Sequence, residues 1–537
     1  MTFPPALDPH HLHQCPVPTS RPSPTAFLKW LTEYQNTQRD IARSEFVLNY
    51  QAHQQVNLPT RFADSDSDYF APNADFDRAP GISYRRSLIT IEILLDNVLL
   101  EIFDVYRIAD VQSLRGRPWR WHKLVHVCQS WRQVVFASPR RLDLLLSCSY
   151  GTPVRKLLDC WPPLPLAIQY GGLPGRDPPT PEDEDNIIAA LQHPKRIWKI
   201  ELTLTNILLE KLEPLMREPF PILSHLEISQ YNAGGVLPST FLGGSTPCLR
   251  VIHVYDIAFP VLPRLHLSVK TVTSLGLIGI PNDGYFSPET IVTSVSMLIQ
   301  LEALSILFQS PILHHNRRAP PLKRAVLPAL ISFGFRGSSE YLEDLVARVD
   351  APLLVHVAIK FFNQLIFEVP RLSSFIGRAK MLKSSSEATI YSSQRGISIS
   401  LTQPTDVDVH GQSHIGVSCK VFDWQVSSLG QICDHTFPLL RCVEQLEIRT
   451  DSFSPSGQND MDTTQWLELF RSFSGVKVLR MASTLGPTVA SVLQLATGEP
   501  TSRAFPALRD IQLGGTETFT PVEQFISMYK ASTSPRP

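Results

Sequence analysis

Three groups of histidine and cysteine residues lie close enough together in the sequence to suggest metal chemistry. They are His10, His11, His13 and Cys15; His122, His126 and Cys128; and Cys433, His435 and Cys442. A structural zinc site needs about four ligands, usually in paired spacing. None of the eight cysteines forms a Cys-x-x-Cys pair. A structural or incidental role of these side chains is therefore favoured over metal binding, and we expect neither a metal nor another cofactor.

Sequence signatures of catalysis are also missing. There is no Gly-x-Ser-x-Gly elbow, no His-Glu-x-x-His and no Gly-x-x-x-x-Gly-Lys-Ser/Thr phosphate loop. The acidic run 182–185 follows Pro181, and carboxylates favour the positive end of a helix dipole, so it is interpreted as a solvated helix start. We predict no catalytic residues and no enzyme. The alternative, an enzyme of unrecognised fold, would need a deep pocket of converging titratable groups.

Length and composition bound the class of protein. At 537 residues, the chain is longer than one compact core usually needs, so several domains or a repeat array are expected. The 49 basic and 50 acidic residues give a net charge of −1, which argues against nucleic-acid binding by bulk electrostatics. The 45 prolines indicate many short elements, because proline stops helices and central strands.

No targeting segment is visible. The first residues lack a basic stretch followed by an apolar one, so no signal peptide is expected. No window approaches the roughly 18 uninterrupted apolar residues of a membrane span. The scattered cysteines are interpreted as small buried hydrophobes in a reducing compartment. A cytoplasmic or nuclear location, or both, is the resulting expectation.

Two amphipathic helices are predicted between residues 95 and 138. The apolar positions of the first are Leu95, Val98, Leu99, Ile102, Phe103 and Tyr106, and those of the second are Trp121, Leu124, Val125, Cys128, Trp131 and Val135. Both sets follow the helical period. Asp96 is a candidate N-cap, and Gly116 with Pro118 separates the helices. The pair has more apolar surface than it can bury alone, so a partner is needed inside or outside the chain.

A short phrase recurs after residue 140: a turn residue, often Pro, and then Leu-x-x-Leu-x-Ile or a close relative. It occurs at 220–229, 246–254, 298–307, 327–335, 351–359, 437–448, 473–481 and 505–513. Pro221 and Pro247 are 26 residues apart, within the roughly 20–29 residues of leucine-rich repeats. Helical patterns lie between the phrases, at 181–193, 287–298, 339–349 and 463–473.

A strand followed by a helix in each unit predicts a curved solenoid whose strands line the concave side. The spacing fails between 360 and 436, where 388–401 and 414–422 look like extended strands, so inserted or capping strands are expected there. Tyr255, Phe333 and Phe335 are either exposed aromatics of the concave face or core residues.

The two-helix segment resembles the F-box motif, and most closely the fungal F-box-like proteins with weak leucine-rich repeats. The matching stretches are VLLEIF (98–103) and LVHVCQSWR (124–132). The stretches 152–168 and 339–354 are also similar to segments of that family. Leu94-Leu95 stands where the family has Leu-Pro, and the region between the helices carries Arg107, Arg115, Arg117 and Arg120.

The resemblance implies a substrate-recruiting subunit of a cullin-RING (SCF-type) ubiquitin ligase. Its F-box would bind a Skp-type adaptor, and through it a cullin, while the repeats would bind an unknown protein substrate. The residues implied in adaptor binding are Leu94, Leu95, Val98, Leu99, Ile102, Phe103, Leu124, Val127, Cys128, Trp131 and Val135. No nucleic acid or membrane partner is expected.

The resulting fold class is α/β: an N-terminal helical F-box-like hairpin followed by an irregular leucine-rich-repeat solenoid. The expected divisions are a disordered or partly helical region at 1–89, the F-box-like domain at 90–140, the repeat array at 141–515, and a C-terminal helix and tail at 516–537. The alternative function is a non-ligase interaction scaffold whose hairpin is a cap or a relic. Coverage of the hairpin's apolar faces by the array would favour this alternative.

Overall fold

Strands and helices alternate along most of the chain in the computed structural model. The residues that it describes are 94–113, 121–149, 151–171, 178–231, 234–238, 240–244, 246–265, 270–311, 323–364, 366–379, 385–393, 395–402, 412–419, 422–436, 438–450, 463–482, 489, 492 and 505–514. All of them belong to one structural unit, Pro72–Gly172 with Asp177–Pro537. The regions expected at 1–89 and 516–537 lie outside the described residues.

Most strands are five to eight residues long. The strands are β1 (Leu145–Ser147), β2 (Leu166–Tyr170), β3 (Ile197–Leu204), β4 (His225–Gln230), β5 (Gly235–Val236), β6 (Val251–Tyr255), β7 (Ile257–Ala258), β8 (Ser274–Ile280), β9 (Ala303–Phe308), β10 (Ala325–Val326), β11 (Ser332–Gly337), β12 (Val349–Asp350), β13 (His356–Phe362), β14 (Glu387–Ser393), β15 (Gly396–Thr402), β16 (Gln412–Ser418), β17 (Gln445–Thr450), β18 (Val478–Ala482) and β19 (Asp510–Gly514).

Helices precede the sheet and then lie between its strands. They are α1 (Asp96–Ser113), α2 (His122–Val125), α3 (Gln129–Ala137), α4 (Val154–Cys160), α5 (Pro181–Leu191), α6 (Asn206–Met216), α7 (Leu262–Leu265), α8 (Pro288–Ser296), α9 (Ser339–Val346), α10 (Pro370–Arg378), α11 (Phe422–Thr436) and α12 (Thr463–Arg471). The four helical patterns expected between the phrases are confirmed as α5, α8, α9 and α12.

Fifteen strands form one sheet, in the order β1-β2-β3-β4-β6-β8-β9-β11-β13-β16-β15-β14-β17-β18-β19. Neighbours pair in parallel, except that β15 is antiparallel to both β14 and β16. Two small parallel pairs, β5–β7 and β10–β12, lie outside it. The sequence of strand, crossover and adjacent parallel strand resembles a leucine-rich-repeat solenoid.

A tight turn explains the recurring phrase. The backbone N–H of Leu223 donates to the carbonyl of Phe220 (3.3 Å), and Leu508 donates to Phe505 (3.2 Å). Equivalent bonds precede all eight strands that the phrases predicted, so these strands are confirmed. Pro follows the first turn residue in several cases, as in Pro221 and Pro506, because its fixed φ suits the second turn position. Each turn ends with a buried leucine or valine that enters the core.

Residues that pair across neighbouring strands form rows, and the rows on one side of the sheet make up the apolar core. One row of paired residues is Leu146, Ile168, Ile200, Leu226, Ile252, Leu275, Leu304, Phe333 and Val357. All are buried in a single apolar cluster with residues of the helices. Because side chains alternate along a strand, the intervening residues lie on the opposite side of the sheet, which we call the outer face.

The irregular stretch between 360 and 436 contains inserted strands, as the sequence predicted, and the structure shows that they pair antiparallel to one another. Strands β14, β15 and β16 form a meander between β13 and β17. Gln425 of α11 is 1% exposed and holds the insertion to its helix. Its amide donates to the carbonyls of Cys419 (2.7 Å) and Ser393 (3.0 Å), and its oxygen accepts from the Ser392 hydroxyl (3.2 Å).

The acidic run 182–185 begins α5 as predicted, but it is not entirely solvated. Thr180 and Asp183 form a capping box, in which each side chain accepts a hydrogen bond from the other residue's backbone N–H (3.2 and 2.9 Å). Asp183 is therefore buried, whereas Glu182 is exposed. The prediction of a fully solvated helix start is corrected at Asp183.

Candidate protein-interaction surfaces

Helix α1 begins at a residue that differs from the sequence prediction. The Leu95 carbonyl accepts from the backbone N–H of Val98 (2.9 Å) and Leu99 (3.0 Å). Asp96 is thus the first helical residue and not the N-cap, which corrects the expectation. The helix continues past Arg107 to Ser113, because helix-breaking residues come only later, at Gly116 and Pro118.

The second predicted helix is interrupted. Helix α2 ends at Val125 and α3 begins at Gln129. Between them Cys128 is extended, and its sulfur accepts from the backbone N–H of Trp131 at 3.5 Å, so it caps α3. The Arg132 side chain donates to the Val125 carbonyl at 2.9 Å and closes the end of α2. Cys128 was expected in the apolar stripe; its half-buried sulfur has a capping role instead.

A compact apolar cluster holds the hairpin (α1 to α3) together. Its buried members are Leu99, Phe103, Trp121, Leu124, Val125, Val134, Val135, Leu142 and Leu144. The Phe103 and Trp131 rings meet edge to face at 4.8 Å. The cluster also reaches the array: the Trp121 indole N–H donates to the Leu145 carbonyl of β1 at 3.1 Å, and the Trp121 and Trp161 rings lie 4.9 Å apart. The hairpin therefore packs on the first strand of the sheet.

Helix α1 carries a second apolar face that the described residues do not cover. Leu95, Val98, Ile102 and Val105 are 70%, 39%, 42% and 68% exposed. Leu95 directly precedes α1 and the other three residues lie in it; their offsets of three, seven and ten from Leu95 place them along one side of the helix. We call these four residues the exposed stripe. Leu94, before α1, and Val127, between α2 and α3, are exposed as well.

The structure divides the eleven residues implied in adaptor binding. Those exposed are Leu94, Leu95, Val98, Ile102 and Val127; those half-buried are Cys128 and Trp131; those fully buried are Leu99, Phe103, Leu124 and Val135. The buried four stabilise the hairpin itself and have little surface to offer a partner. Val105 was missed, although its spacing of three from Ile102 was a usable signal.

Ion pairs fasten the hairpin at both ends. The Arg141 guanidinium donates to Asp104 (3.1 Å) and Glu101, and these hydrogen bonds raise the pKa of Arg141. The ammonium of Lys199, on β3, lies 3.2 Å from Asp143 and 2.9 Å from Glu201. Burial acts to lower the pKa of Lys199, but the two carboxylates raise it overall. Asp143 belongs to the segment between α3 and β1, so this pair ties that segment to the array.

The outer face of the sheet is the second candidate surface. Tyr255 lies there and is half-buried, whereas Phe333 and Phe335 are 4% and 1% exposed and belong to the core. Of the three aromatics considered from the sequence, only Tyr255 is therefore available to a partner. His253, beside it, accepts or donates a hydrogen bond with the Ser274 hydroxyl at 3.0 Å.

The described residues include neither a group of metal ligands nor, in the cavity described below, a polar side chain. No three His, Cys, Asp or Glu residues among them are grouped to hold a metal ion. Cys433 is buried and Cys442 is exposed; the group at residues 10–15 lies outside the described part. A cavity between α8, α9, α10 and the sheet is lined entirely by apolar side chains, including Ile291, Phe333 and Phe375. No described helix has the length and apolarity needed to cross a bilayer.

Comparisons with known proteins add a distant structural likeness. No family model matches the chain, and no curated protein matches it. Among solved structures, the chain is similar to the leucine-rich repeat-containing protein LegL7 from Legionella pneumophila, with 10% sequence identity and a TM-score of 0.27. The match covers 72% of this chain and 98% of that one.

Proposed function

We propose that the chain is a non-catalytic, substrate-recruiting subunit of an SCF-type ubiquitin ligase. The hairpin would bind a Skp-type adaptor and, through it, a cullin. The outer face of the array would bind a protein substrate, in the cytosol or the nucleus. The observation that carries this proposal is the exposed stripe of α1.

The stripe supports a docking role because exposed apolar surface is costly unless a partner covers it. Contiguous apolar patches on soluble proteins often mark interaction sites. The hairpin already has a core of its own, in which Leu99 and Phe103 are fully buried. The stripe is therefore surplus to folding, and helix-face docking is one of the recurring ways in which proteins bind each other.

In this proposal catalysis takes place on another subunit. The chain holds the substrate near a ubiquitin-charged enzyme and raises its effective concentration there. Ordered contacts between the hairpin and β1, such as the Trp121 bond to Leu145, would keep the two binding surfaces at a constant separation. No titratable group of the chain has to take part in the transfer.

Adaptor binding can be tested with substitutions that leave the hairpin core intact. The double variant Ile102→Glu, Val105→Glu places charge on the stripe, and its affinity for a purified Skp-type adaptor is measured by biolayer interferometry. We expect a loss of about tenfold or more with an unchanged circular dichroism spectrum. Leu99 is unsuitable as the test position, because it is fully buried and its replacement would disturb folding.

A matched control is available on the array. Met297 and Ile299 are 53% and 61% exposed, so Met297→Glu, Ile299→Glu adds the same charge to another apolar surface. This variant should bind the adaptor like wild type. Folded wild-type chain that does not bind the adaptor would refute the ligase proposal.

One observation favours the alternative, a scaffold whose hairpin is a cap. The inner side of the hairpin does contact the beginning of the sheet, because the Trp121 indole N–H donates to the Leu145 carbonyl of β1. A cap alone, however, gives no reason for the exposed stripe on the other side. The two functions are compatible on one hairpin, and the stripe substitutions separate them, because a cap would tolerate them fully.

A further inference from the structure

One edge of the sheet includes the starts of β6, β8, β9, β11 and β13, which are consecutive neighbours. The residues just before these strands are joined by backbone hydrogen bonds of 2.8 Å, donated by Thr273 to Arg250, Glu302 to Thr273, Ile331 to Glu302 and Val355 to Ile331. Neighbouring strands lie about 4.8 Å apart, so this row is about 19 Å long. We call the segments that lead into it the entry edge: 246–250, 270–273, 297–302, 323–331 and 347–355.

Large apolar side chains are exposed along the entry edge. Ile299 and Leu353 occupy central positions of the tight turns before β9 and β13, which backbone hydrogen bonds of 3.0 and 3.3 Å close. Met297 and Val326 directly precede the turns before β9 and β11. In that order the four side chains are 61%, 55%, 53% and 54% exposed. Apolar surface gathered in this way often marks an interaction site.

The exposed charges of the entry edge are mostly positive. They are Glu302 and the four cations Arg250, Lys270, Lys323 and Arg324. The other two charged residues, Arg348 and Asp350, are neutralised by ion pairs with Asp344 (3.2 Å) and Arg378 (2.8 Å). Four cations against one carboxylate leave a surplus of three positive charges.

Acidic side chains lie at the opposite edge of the same strands. Asp283 follows β8, and Glu289 and Glu340 lie in the first turns of α8 and α9, which begin at that edge. An anionic surface would therefore attract the entry edge and repel the opposite one. This difference in charge would fix the orientation of the chain on such a surface.

We infer that the entry edge docks onto the surface of an anionic membrane. The exposed apolar side chains would enter the headgroup region, and the cations would meet anionic lipids. Binding at a bilayer surface increases with the apolar area buried and with electrostatic attraction to anionic lipids. Each Lys or Arg near such a surface contributes about 1 kcal/mol, which is about fivefold in affinity.

A membrane partner was not expected from the sequence, because the net charge of −1 conceals the local surplus. Docking at the surface requires no membrane-crossing helix, so it agrees with what the described helices show. The inference goes beyond the proposed function and does not depend on it, because the entry edge belongs to the array and adaptor binding is assigned to the hairpin.

A protein partner is the less favoured occupant. An amphipathic helix that docks on a protein lies in a continuous hydrophobic groove. Here the apolar side chains are distributed over separate turns, and the exposed Pro328 lies between Ile299 and Leu353. A fluid bilayer surface can accept such a scattered set without a pocket of matching shape. A second copy of the chain is the remaining occupant, and the test below separates it from a membrane.

The test measures co-sedimentation of the full-length chain with sucrose-loaded vesicles. One set of vesicles is phosphatidylcholine alone, and the other contains about one third phosphatidylserine. The variant Lys323→Gln, Arg324→Gln removes two cations of the entry edge. Its matched control is Arg155→Gln, Lys156→Gln, which removes an adjacent pair of exposed cations from α4.

The apolar contribution is tested separately, with the variant Ile299→Ser, Leu353→Ser. Its matched control is Ile207→Ser, Ile366→Ser, because these isoleucines are 66% and 67% exposed and lie after β3 and β13, away from the entry edge. Circular dichroism establishes that each variant is folded, and light scattering after gel filtration gives its oligomeric state.

We expect wild type to bind the phosphatidylserine vesicles at least about tenfold more tightly than phosphatidylcholine alone, and less tightly as salt increases. Each entry-edge variant should lose about tenfold or more, while both controls bind like wild type. Equal binding to the two kinds of vesicle, or an equal loss in the controls, would overturn the inference. A wild-type dimer that Ile299→Ser, Leu353→Ser dissociates would overturn it too, because it would assign the entry edge to a second copy.

Discussion

Helix α1 carries apolar residues on two faces, whereas β4 in the array carries them on one. On α1, Leu99 is fully buried while Val105 is 68% exposed; on β4, Leu226 is buried and its neighbour Glu227 lies on the outer face. The array can cover its apolar rows because each repeat stacks on the next. Among the described residues, the hairpin packs on the array through one side, and the adaptor that we propose would cover its second apolar face.

The largest effect should come from the repeat core. Leu226→Ala removes a fully buried side chain whose neighbours are fixed by strand pairing, so we expect a loss of about 2–5 kcal/mol in the free energy of unfolding. Urea denaturation followed by circular dichroism measures it. Leu353→Ala, at a 55% exposed position, is the control and should change stability by less than about 0.5 kcal/mol. Equal effects would contradict the burial described here.

The buried Leu99 of α1 and the exposed Leu95, which directly precedes the helix, should differ in what their replacement does. Leu99→Ala should cost about 2–3 kcal/mol, near the lower end for core leucines, because the hairpin cluster is small. Leu95→Ala should cost less than about 0.5 kcal/mol, yet weaken adaptor binding. Thermal denaturation and adaptor titration of both variants check this. The two-face description fails if Leu95→Ala proves as destabilising as Leu99→Ala.

A smaller effect is expected where the outer face is tightly packed. Gly276→Ala brings a methyl group to 2.9 Å from the His253 ring, so the ring must move at a cost of about 1–2 kcal/mol. His253→Ala should relieve this clash, and the double variant should be more stable than the sum of the single effects predicts. Additive effects in the double-mutant cycle would show that the two residues are not in contact.

The smallest effect is a pH dependence from His253. Burial, followed by the charge of His225, lowers the pKa of His253 to about 4, below the roughly 6.5 of an unfolded histidine. The unfolded chain therefore takes up the proton first as pH falls, and folding stability decreases between pH 6.5 and 4. We expect about 1 kcal/mol between pH 7 and 5.5, reduced in His253→Asn. An equal slope in that variant would assign the effect to other groups.

Much of the array could be predicted from the sequence, because its turns use few residue types. Strand β3 was missed, although the same kind of turn precedes it. In that turn the backbone N–H of Arg196 donates to the carbonyl of His193 (2.9 Å). The half-buried His193 and Arg196 occupy the first and last positions of this turn, where most of the other turns have buried apolar residues. The Arg196 side chain donates to the carbonyls of Leu164 and Pro162 instead, a long-range use that spacing along the chain does not indicate.

The hairpin was predicted less completely, for a geometric reason. Periodicity identified Leu95, Val98, Leu99, Ile102 and Phe103 as apolar, but not which of them face the protein's own core. That division depends on where β1 and the segment before it pack, as Leu142 and Leu144 show. The break at Cys128 depends on a sulfur acting as a cap, a weak acceptor with no strong sequence signature.

The meander between β13 and β17 contains an odd number of strands, and this number has a consequence for the repeats that follow. Three strands that alternate in direction bring the third back to the direction of the first, so β14 can pair in parallel with β17 as β16 does with β13. Two inserted strands would have reversed every later repeat. The insertion should slow folding, because it pairs Val357 with Ser413, and pairing between residues far apart in the sequence slows folding. A chain cut after β13 would end in an open edge strand, prone to pair with other copies.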